Sequence, residues 1–270
     1  MRRLNVFQNR PKLPKIDALA YLERLKLSRE EPSMDYLKRL HKAHLHEIPH
    51  ENLEVQFSRK RKWDIYSLFE SIILTTNRGG IGLELNFLFY HLIEQLGFQC
   101  YAVAASFRED QHAFGNKYQH MVLLVRDNDD VWLADVGSKN GPLVPKRIEE
   151  NQLQVDYNRY MRLHLDPDEN WILQTSGDMT NFSNVYQFRE EEVQYIEFID
   201  MHHFYQTDQT SPYVDEKYVA KWTQEGLITL TTRKLLIATS GAASEPIMNE
   251  DAFLAQLETH FGIHLADLLE

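Results

Sequence analysis

The chain has only one cysteine, Cys100, among its 270 residues. One cysteine cannot form an intrachain disulfide or a cysteine zinc cluster, so neither holds this fold together. No uncharged apolar run approaches the roughly 20 residues that a membrane-spanning helix needs. The basic N-terminus, "MRRLNVFQNRPKLPKID", lacks the apolar stretch of a secretory signal. We therefore expect a cytoplasmic protein with no membrane partner.

Positive charge is also scarce: 29 Lys and Arg residues are outnumbered by 40 Asp and Glu residues, and the formal net charge is −11. Such an acidic chain is a poor general binder of nucleic acid or of anionic membranes, so we expect no nucleic-acid partner. The net charge does not exclude a local basic pocket for a phosphorylated ligand. A chain of 270 residues is long enough for one large domain or two or three small ones, and its hydrophobic content of 43% is enough to build packed cores.

Motifs for phosphate and metal binding are missing or broken. Neither the Walker pattern nor the dinucleotide glycine pattern occurs. "HEIPH" matches the letters of the zinc protease motif, but Pro49 ends the helix on which His46 and His50 would have to lie together. We therefore predict no metal site. Two histidines on the preceding helix are expected to be ordinary surface residues, namely His41 and His44. Another pair has no metal-ligand pattern, namely His202 and His203.

Hydrophobic periodicity divides the chain into three parts. The first third reads as helical, beginning with Asp17 as N-cap of "ALAYLERLKL" and ending with a buried helix from about Leu83 to Leu96, closed by Gly97. Short runs rich in Val, Leu and aromatic residues follow and predict an antiparallel β region to about Phe188. "LITLTTRKLLIAT" predicts one or two strands, and "NEDAFLAQLETHFG" a C-terminal helix with Asn249 as N-cap and Gly262 as stop.

Two residues in the β region have the spacing of a catalytic pair. In "YQHMVLLVRDNDDVWLADVG", a hairpin centred near Asn128 places His120 and Asp135 on one face, directly opposite or one step diagonal. A carboxylate that accepts a hydrogen bond from an imidazole fixes the tautomer of the ring and stabilises its charged form. On these two residues alone, a polar pair inside a sheet explains the pattern better than catalysis does.

The stretch "NRGGIGLELN" places a glycine turn directly before the buried helix. A helix N-terminus has free N–H groups and partial positive charge, and it is where a protein would hold an activated cysteine. The residue at that point is Gly82, which has no side chain.

Taken together, these motifs resemble the arylamine N-acetyltransferase family. The resemblance rests on "IPHENL", "RGGIGLELN", "QHMVLLV", "LADVG" followed by "GPLVP", and "QTSP", in the order of the family. It implies an α+β fold with an N-terminal helical bundle, a central antiparallel β-barrel and a C-terminal α/β lid. We divide the chain accordingly into a helical domain (residues 1–97), a barrel domain (98–200) and a lid (201–270).

The resemblance also implies a reaction and a set of site residues. Family members transfer acetyl from acetyl-CoA through a cysteine to an arylamine or hydrazine, with no covalently bound cofactor. His120 matches the general base, Asp135 the acid that orients it, and Gly82 the position of the cysteine. Residues that match the surrounding motif are Arg78, Gly79, Gly80, Glu84 and Asn86. Candidates for the substrate and CoA pocket are Gly137, Ser138, Lys139, Gly141, Thr210 and Ser211.

The sequence departs from the family pattern at two places. Gly82 replaces the cysteine, and "DVGSKNG" places Ser138 where an aromatic residue is expected. We therefore predict a family homologue, natural or engineered, that lacks covalent acetyl transfer. Two alternatives stay open: an enzyme that uses His120 and Asp135 on acyl-CoA without a cysteine, and a non-catalytic binding or regulatory protein. The oligomeric state is not predicted.

Overall fold

The computed structural model describes residues 13–110, 113–238, 242–264 and 266. Helices form most of the first third, an eight-stranded antiparallel sheet forms the middle, and a five-stranded sheet with further helices forms most of the rest. The predicted α+β class is confirmed.

The predicted helix ends follow local capping rules. The Asp17 carboxylate accepts from the N–H groups of Leu19 and Ala20 at 3.0 Å each. Asn249 caps the last helix in the same way, and Gly262 ends it with a φ of 66°. The α-helices are α1 (Ala18–Arg24), α2 (Met34–Glu47), α3 (Leu53–Gln56), α4 (Ile65–Leu68), α5 (Gly82–Gln95), α6 (Ile199–Thr207), α7 (Pro212–Asp215) and α8 (Glu250–Phe261). A π-helical segment, Phe69–Leu74, continues α4, and a 3-10 turn, Tyr195–Phe198, precedes α6.

The eight-stranded sheet forms a nearly closed barrel in the order β5-β4-β3-β2-β9-β8-β7-β6. Its strands are β2 (Gln99–Phe107), β3 (His120–Asp127), β4 (Asp130–Ala134), β5 (Lys146–Arg147), β6 (Gln154–Asp156), β7 (Arg159–Leu165), β8 (Trp171–Ser176) and β9 (Ser183–Glu192). The two edge strands are joined because the Gln154 amide bonds the backbone N–H and C=O of Arg147, at 2.9 Å each. The last strand runs a few residues beyond Phe188, the end that the sequence predicts.

The five-stranded sheet has the order β1-β10-β11-β12-β13. Its strands are β1 (His50–Glu51), β10 (Tyr218–Trp222), β11 (Leu227–Thr231), β12 (Lys234–Ala238) and β13 (Ala242–Pro246). Strand β1 therefore comes from the first third of the chain and pairs with β10 of the last third. The division into domains at residues 97 and 200 stays a prediction.

Helix α5 lies in the main core, between the other helices and one face of the barrel sheet. Its residues from Gly82 to Ile93 are all buried, and its apolar side chains pack with β2 and β3. A buried helix of this kind gives its N-terminus a fixed position relative to β3, where His120 lies.

The expectation that His41 and His44 lie on the surface is wrong. Both side chains are fully buried on the inner face of α2 and pack edge-on against the ring of Phe89. Their spacing places them on the same stripe as Leu37 and Leu40, so the helical period alone decides their burial.

Within the described ranges, no helix has the length and apolar character to cross a bilayer.

Candidate functional site

The glycine turn before α5 is held by a buried carboxylate. Glu51 Oε1 accepts from Arg78 Nη2 at 2.9 Å and from the Gly79 N–H at 3.3 Å. The Gly80 N–H donates to the carbonyl of Pro49 at 3.3 Å. Both glycines therefore bond residues 49–51, and the turn has a single defined position.

Glu84 connects the start of α5 to two other parts of the chain. Its Oε2 accepts from the Ile81 N–H and from Arg61 Nη1, at 3.0 Å each, and its Oε1 accepts from His202 Nε2 at 2.9 Å. Burial raises the pKa of this carboxyl group, but the charge of Arg61 and the hydrogen bond from His202 lower it to about 2. Glu84 is therefore ionised, and it anchors α6 on α5.

The orientation of the His202 ring follows from its neighbour Gln206. The Gln206 Oε1 accepts from the Arg61 N–H at 2.6 Å, and its Nε2 donates to the Arg61 carbonyl at 3.0 Å. The orientation of the amide is thus fixed, and Nε2 also donates to His202 Nδ1 at 3.1 Å. Because Nδ1 accepts this bond, the ring donates to Glu84 from Nε2.

His120 and Asp135 form a buried pair. Asp135 Oδ1 accepts from His120 Nε2 at 3.0 Å. Burial raises the pKa of Asp135, but the charge and the hydrogen bond of His120 hold it at about 2. The rings of Phe107 and Tyr186 flank the imidazole, with centroids 4.8 and 5.7 Å away. Among the described residues, His120 makes its side-chain hydrogen bond through Nε2, to Asp135, so Nδ1 is the nitrogen left for proton transfer.

Asn86 joins this pair to α5. Its Nδ2 donates to Asp135 Oδ1 at 2.8 Å and to the carbonyl of Met121 at 2.6 Å. Its Oδ1 accepts from the Val136 N–H at 2.9 Å. The helix that begins at Gly82 is thus fixed to both strands of the hairpin.

Gly82 lies beside His120, and the space next to it is filled. A Cβ added at Gly82 would lie 3.4 Å from His120 Cε1 but only 2.4 Å from the carbonyl oxygen of Gly137. The backbone of Gly137 therefore occupies the space that a side chain at position 82 would need.

Residues 135–143, here called the 135–143 loop, are held from the inside by Asp135 and His41. Asp135 Oδ1 also accepts from the N–H groups of Gly137 and Ser138, at 2.9 and 3.1 Å. His41 Nε2 accepts from the Asp135 N–H at 3.0 Å, and Nδ1 donates to the Leu143 carbonyl at 3.1 Å. Burial lowers the pKa of His41 to about 4, so this neutral ring fixes both ends of the loop.

From the outside, the barrel edge holds the same loop. Arg159 donates to the carbonyls of Asn140 and Gly141, and it pairs with Asp156 at 3.1 Å. Asp156 accepts in turn from the Leu143 N–H at 2.9 Å. The position of Gly137 against Gly82 is therefore set by contacts on both sides of the loop.

Comparison with known proteins identifies the family. A family model described as N-acetyltransferase matches residues 33–269. The chain belongs to the arylamine N-acetyltransferase family.

The similarity to individual members is moderate and extends over most of the chain. Proansamycin X synthase from Amycolatopsis mediterranei (strain S699) is 26% identical over 248 residues, or 88% of this chain and 94% of that protein. Arylamine N-acetyltransferase / N-hydroxyarylamine O-acetyltransferase from Salmonella typhimurium is 33% identical over 144 residues, or 53% of this chain and 50% of that protein. The structure of M. smegmatis arylamine N-acetyl transferase matches with a TM-score of 0.85 at 26% identity and 94% coverage of both chains.

In this arylamine N-acetyltransferase homologue, residues 201–270 approach the glycine turn through a residue that the sequence did not indicate. Thr210 bonds Asp208, and Ser211 caps α7 and bonds the Tyr205 carbonyl, so the hydrogen bonds of these two candidates stay within residues 201–270. The residue that reaches β1 and α3, next to the glycine turn, is Tyr213: its carbonyl accepts from Asn52 Nδ2 at 2.8 Å, and its hydroxyl oxygen lies 3.5 Å from His50 Nε2.

Other residues of the site also went unpredicted. They are His41, Arg61, Asp156, Arg159 and His202. Each is a polar or charged residue that bonds a different element or loop of the site, at least 13 positions away in the chain, so its own local pattern carries no signal of that contact. Only the burial of His41 was readable, from its place on the apolar face of α2.

Among the described residues, no group of three or more His, Cys, Asp or Glu side chains is arranged to hold a metal ion.

Proposed function

We propose that this chain is an arylamine N-acetyltransferase homologue that forms no covalent acetyl intermediate. The observation that carries the proposal is the contact between Gly82 and Gly137. The residue that faces His120 at the start of α5 has no side chain, and a backbone carbonyl fills the adjacent space. The acetyl acceptor of covalent catalysis is therefore missing, and so is the room for it.

Two other residues fail as replacement nucleophiles. Cys100 is buried in β2, beyond the far end of α5, and pairs with Val125 of β3. Ser138 follows Gly137, but its N–H donates to Asp135 Oδ1, and the hydrogen bond of His120 also goes to Asp135. A serine without a general base within hydrogen-bond reach is a weak nucleophile.

The ligands that the family suggests for this chain are acetyl-CoA or CoA and an aromatic amine or hydrazine, bound without covalent transfer. A cytoplasmic location and the absence of nucleic-acid and membrane partners stay predictions of the sequence.

A second candidate function follows from the intact pair of His120 and Asp135. His120 Nδ1 would accept a proton from an amine as the amine nitrogen attacks the thioester carbon of a bound acyl-CoA and CoA thiolate leaves. General base catalysis of this kind contributes roughly 10² to 10⁴ in rate.

The test is intact mass under denaturing conditions after incubation with acetyl-CoA. We expect no added acetyl group, whereas the Salmonella typhimurium relative, run in parallel as a positive control, should gain one. A stoichiometric adduct on this chain would refute the proposal.

Kinetics and binding separate the candidates. Turnover that needs both substrates bound together and is lost in His120→Ala would support the second candidate. If no acyl-CoA and amine pair gives turnover, a binding measurement tests whether the chain still holds CoA. CoA at a hundredfold excess over its dissociation constant should raise the free energy of unfolding by about 2.7 kcal/mol.

A further inference from the structure

The site around His120 is closed. The His120 side chain is only 1% exposed, and Gly82 and Gly137 are buried as well. The carbonyl of Gly137 fills the space beside Gly82 where a side chain would face the imidazole. A ligand can therefore reach His120 only if a neighbouring segment moves.

The segment that covers Gly82 is the 135–143 loop, and its outer part is attached to the barrel by Arg159. The guanidinium group donates to the carbonyls of Asn140 and Gly141. Asn140 itself is exposed. Charged hydrogen bonds of this kind fix the loop only as long as the guanidinium group itself stays in place.

Arg159 follows a strained turn. Strands β6 and β7 are joined by Tyr157 and Asn158, and Asp156 pairs with Arg159 across the hairpin. The φ of Tyr157 is 55°, a conformation that glycine, asparagine or aspartate normally takes in a two-residue turn. A tyrosine persists in this conformation only where contacts outside the turn hold it there.

Those contacts come from the five-stranded sheet. The Tyr157 hydroxyl donates to the Glu225 carbonyl at 2.7 Å. Its ring meets the ring of Trp222 edge-on, with a centroid distance of 5.5 Å. Trp222 ends β10, and Glu225 lies in the turn that leads to β11. Tyr157 therefore connects the tip of the β6–β7 hairpin to the β10–β11 hairpin.

The Glu225 carbonyl has a fixed position because its turn is closed by hydrogen bonds. The Thr223 N–H donates to the Gly226 carbonyl at 2.7 Å, and the Glu225 N–H donates to Thr223 Oγ1 at 3.2 Å. Tyr157, by contrast, is 42% exposed, so water competes for its hydroxyl. The hydrogen bond between Tyr157 and Glu225 is therefore the part of this connection that can open.

We propose that the contact between Tyr157 and Glu225 controls access to His120. While the hydroxyl is bound, the turn keeps its strained conformation and Arg159 stays on the 135–143 loop. When the hydroxyl leaves, the turn relaxes, Arg159 releases the two loop carbonyls, and the loop moves away from α5. The proposal rests on the proposed function, because the ligands of that function have to reach His120 through this opening.

The test is amide hydrogen exchange, followed residue by residue in NMR spectra of the native chain and of Tyr157→Phe. This substitution keeps the ring and removes only the hydroxyl. The amides of Gly137 and Ser138, which donate to Asp135, should exchange about three- to tenfold faster, since this is the change that loss of one hydrogen bond makes in an opening equilibrium. The amide of Leu124, in the centre of β3, should exchange at the native rate.

Two further variants separate this contact from a general effect on the turn. Tyr157→Asn removes the contact and places a residue suited to the left-handed conformation. If the tyrosine served the turn alone, the loop amides would exchange more slowly in this variant, whereas our proposal predicts faster exchange. Tyr160→Phe removes a hydroxyl from a half-buried side chain on β7 and should leave the exchange rates unchanged. Melting curves show whether each variant is folded.

A chemical probe measures access to His120 itself. Diethylpyrocarbonate modifies neutral imidazoles, and peptide mass locates the modified histidine. The rate of modification of His120 should rise by about the same factor in Tyr157→Phe, because the reagent reaches the ring through the same opening.

Unchanged exchange of Gly137 and Ser138 in Tyr157→Phe, slower exchange in Tyr157→Asn, or an unchanged rate of His120 modification would overturn the proposal. Exchange that accelerates equally at Leu124 would also overturn it, because it would report global unfolding. Failure of the proposed function is a separate result. An acetyl adduct on the native chain would refute that function whatever the exchange rates are, and unchanged exchange without an adduct would refute only the control of access.

Discussion

Replacing Gly82 by cysteine tests the packing between α5 and the 135–143 loop. The new Cβ would lie 2.4 Å from the Gly137 carbonyl oxygen, whereas ordinary contacts begin at 3.4 Å, so the oxygen must retreat by about 1 Å. That movement strains the hydrogen bonds from Gly137 and Ser138 to Asp135. Overpacking of this kind costs roughly 1–3 kcal/mol, and replacing a glycine in a helix returns about 0.5 kcal/mol.

We therefore expect Gly82→Cys to lose about 1–2 kcal/mol in the free energy of unfolding, or roughly 2–8 °C in melting temperature. It should not restore acetylation of arylamines, because the displaced loop also carries the residues beside His120. The measurements are guanidinium unfolding, thermal melting and arylamine turnover with acetyl-CoA. Gly82→Ala adds the same Cβ without a thiol and should lose a similar amount.

Gly177→Ala is the matched control, because a Cβ added there meets no atom within 4 Å. It should change the free energy of unfolding by less than about 0.5 kcal/mol. A Gly82→Cys variant as stable as the native chain, and able to acetylate an arylamine through an acetyl-enzyme, would show that the loop moves freely and that our packing argument is wrong.

Three further substitutions test the contacts around the site. His41→Phe keeps a buried ring but leaves the Asp135 N–H and the Leu143 carbonyl without partners, so chemical denaturation should show a loss of about 2–4 kcal/mol. Glu84→Gln removes a carboxyl group whose folded pKa is about 2, below its ordinary value of 4.5. The stability from this group is complete above about pH 5 and is lost as the pH falls through the folded pKa, so the melting temperature of the variant should fall less steeply between pH 5 and 2. His202→Gln retains a donor for Glu84. Its free energy of unfolding should therefore exceed that of His202→Ala by about 1–2 kcal/mol.

Each of these expectations has an outcome that contradicts it. His46→Ala, on the half-buried side of α2, is the control for His41→Phe, and equal losses in the two variants would show that the bonds of His41 to the loop contribute little. If the melting temperatures of the native chain and Glu84→Gln fell equally steeply between pH 5 and 2, other carboxylates would dominate acid unfolding. Equal stability of the two His202 variants would mean that the bond to Glu84 adds nothing.

The features that local chemistry decides were predictable from the sequence. Asp17 and Asn249 cap helices because their side chains reach N–H groups only two or three residues away. The hairpin register brings His120 and Asp135 within reach because the turn near Asn128 fixes the pairing of two adjacent strands. These contacts depend on short stretches of chain.

The contacts that close the site depend instead on partners distant in the chain. His41 bonds residues 94 and 102 positions later, and the Tyr213 carbonyl accepts from Asn52, 161 positions earlier in the chain. The periodicity of α2 shows that His41 faces the core but not which groups it meets there. Likewise, the sequence shows that the loop after Asp135 departs from the family pattern, but only the structure shows that the Gly137 carbonyl lies against Gly82.

The contact between Gly82 and Gly137 restricts both positions. A Cβ added at Gly137 would lie 2.2 Å from the carbonyl oxygen of Gly82, so neither residue can gain a side chain while the other backbone stays in place. The two positions are therefore coupled: a side chain introduced at either one alone destabilises the protein, and only a change that first moves the loop away from α5 makes room for it.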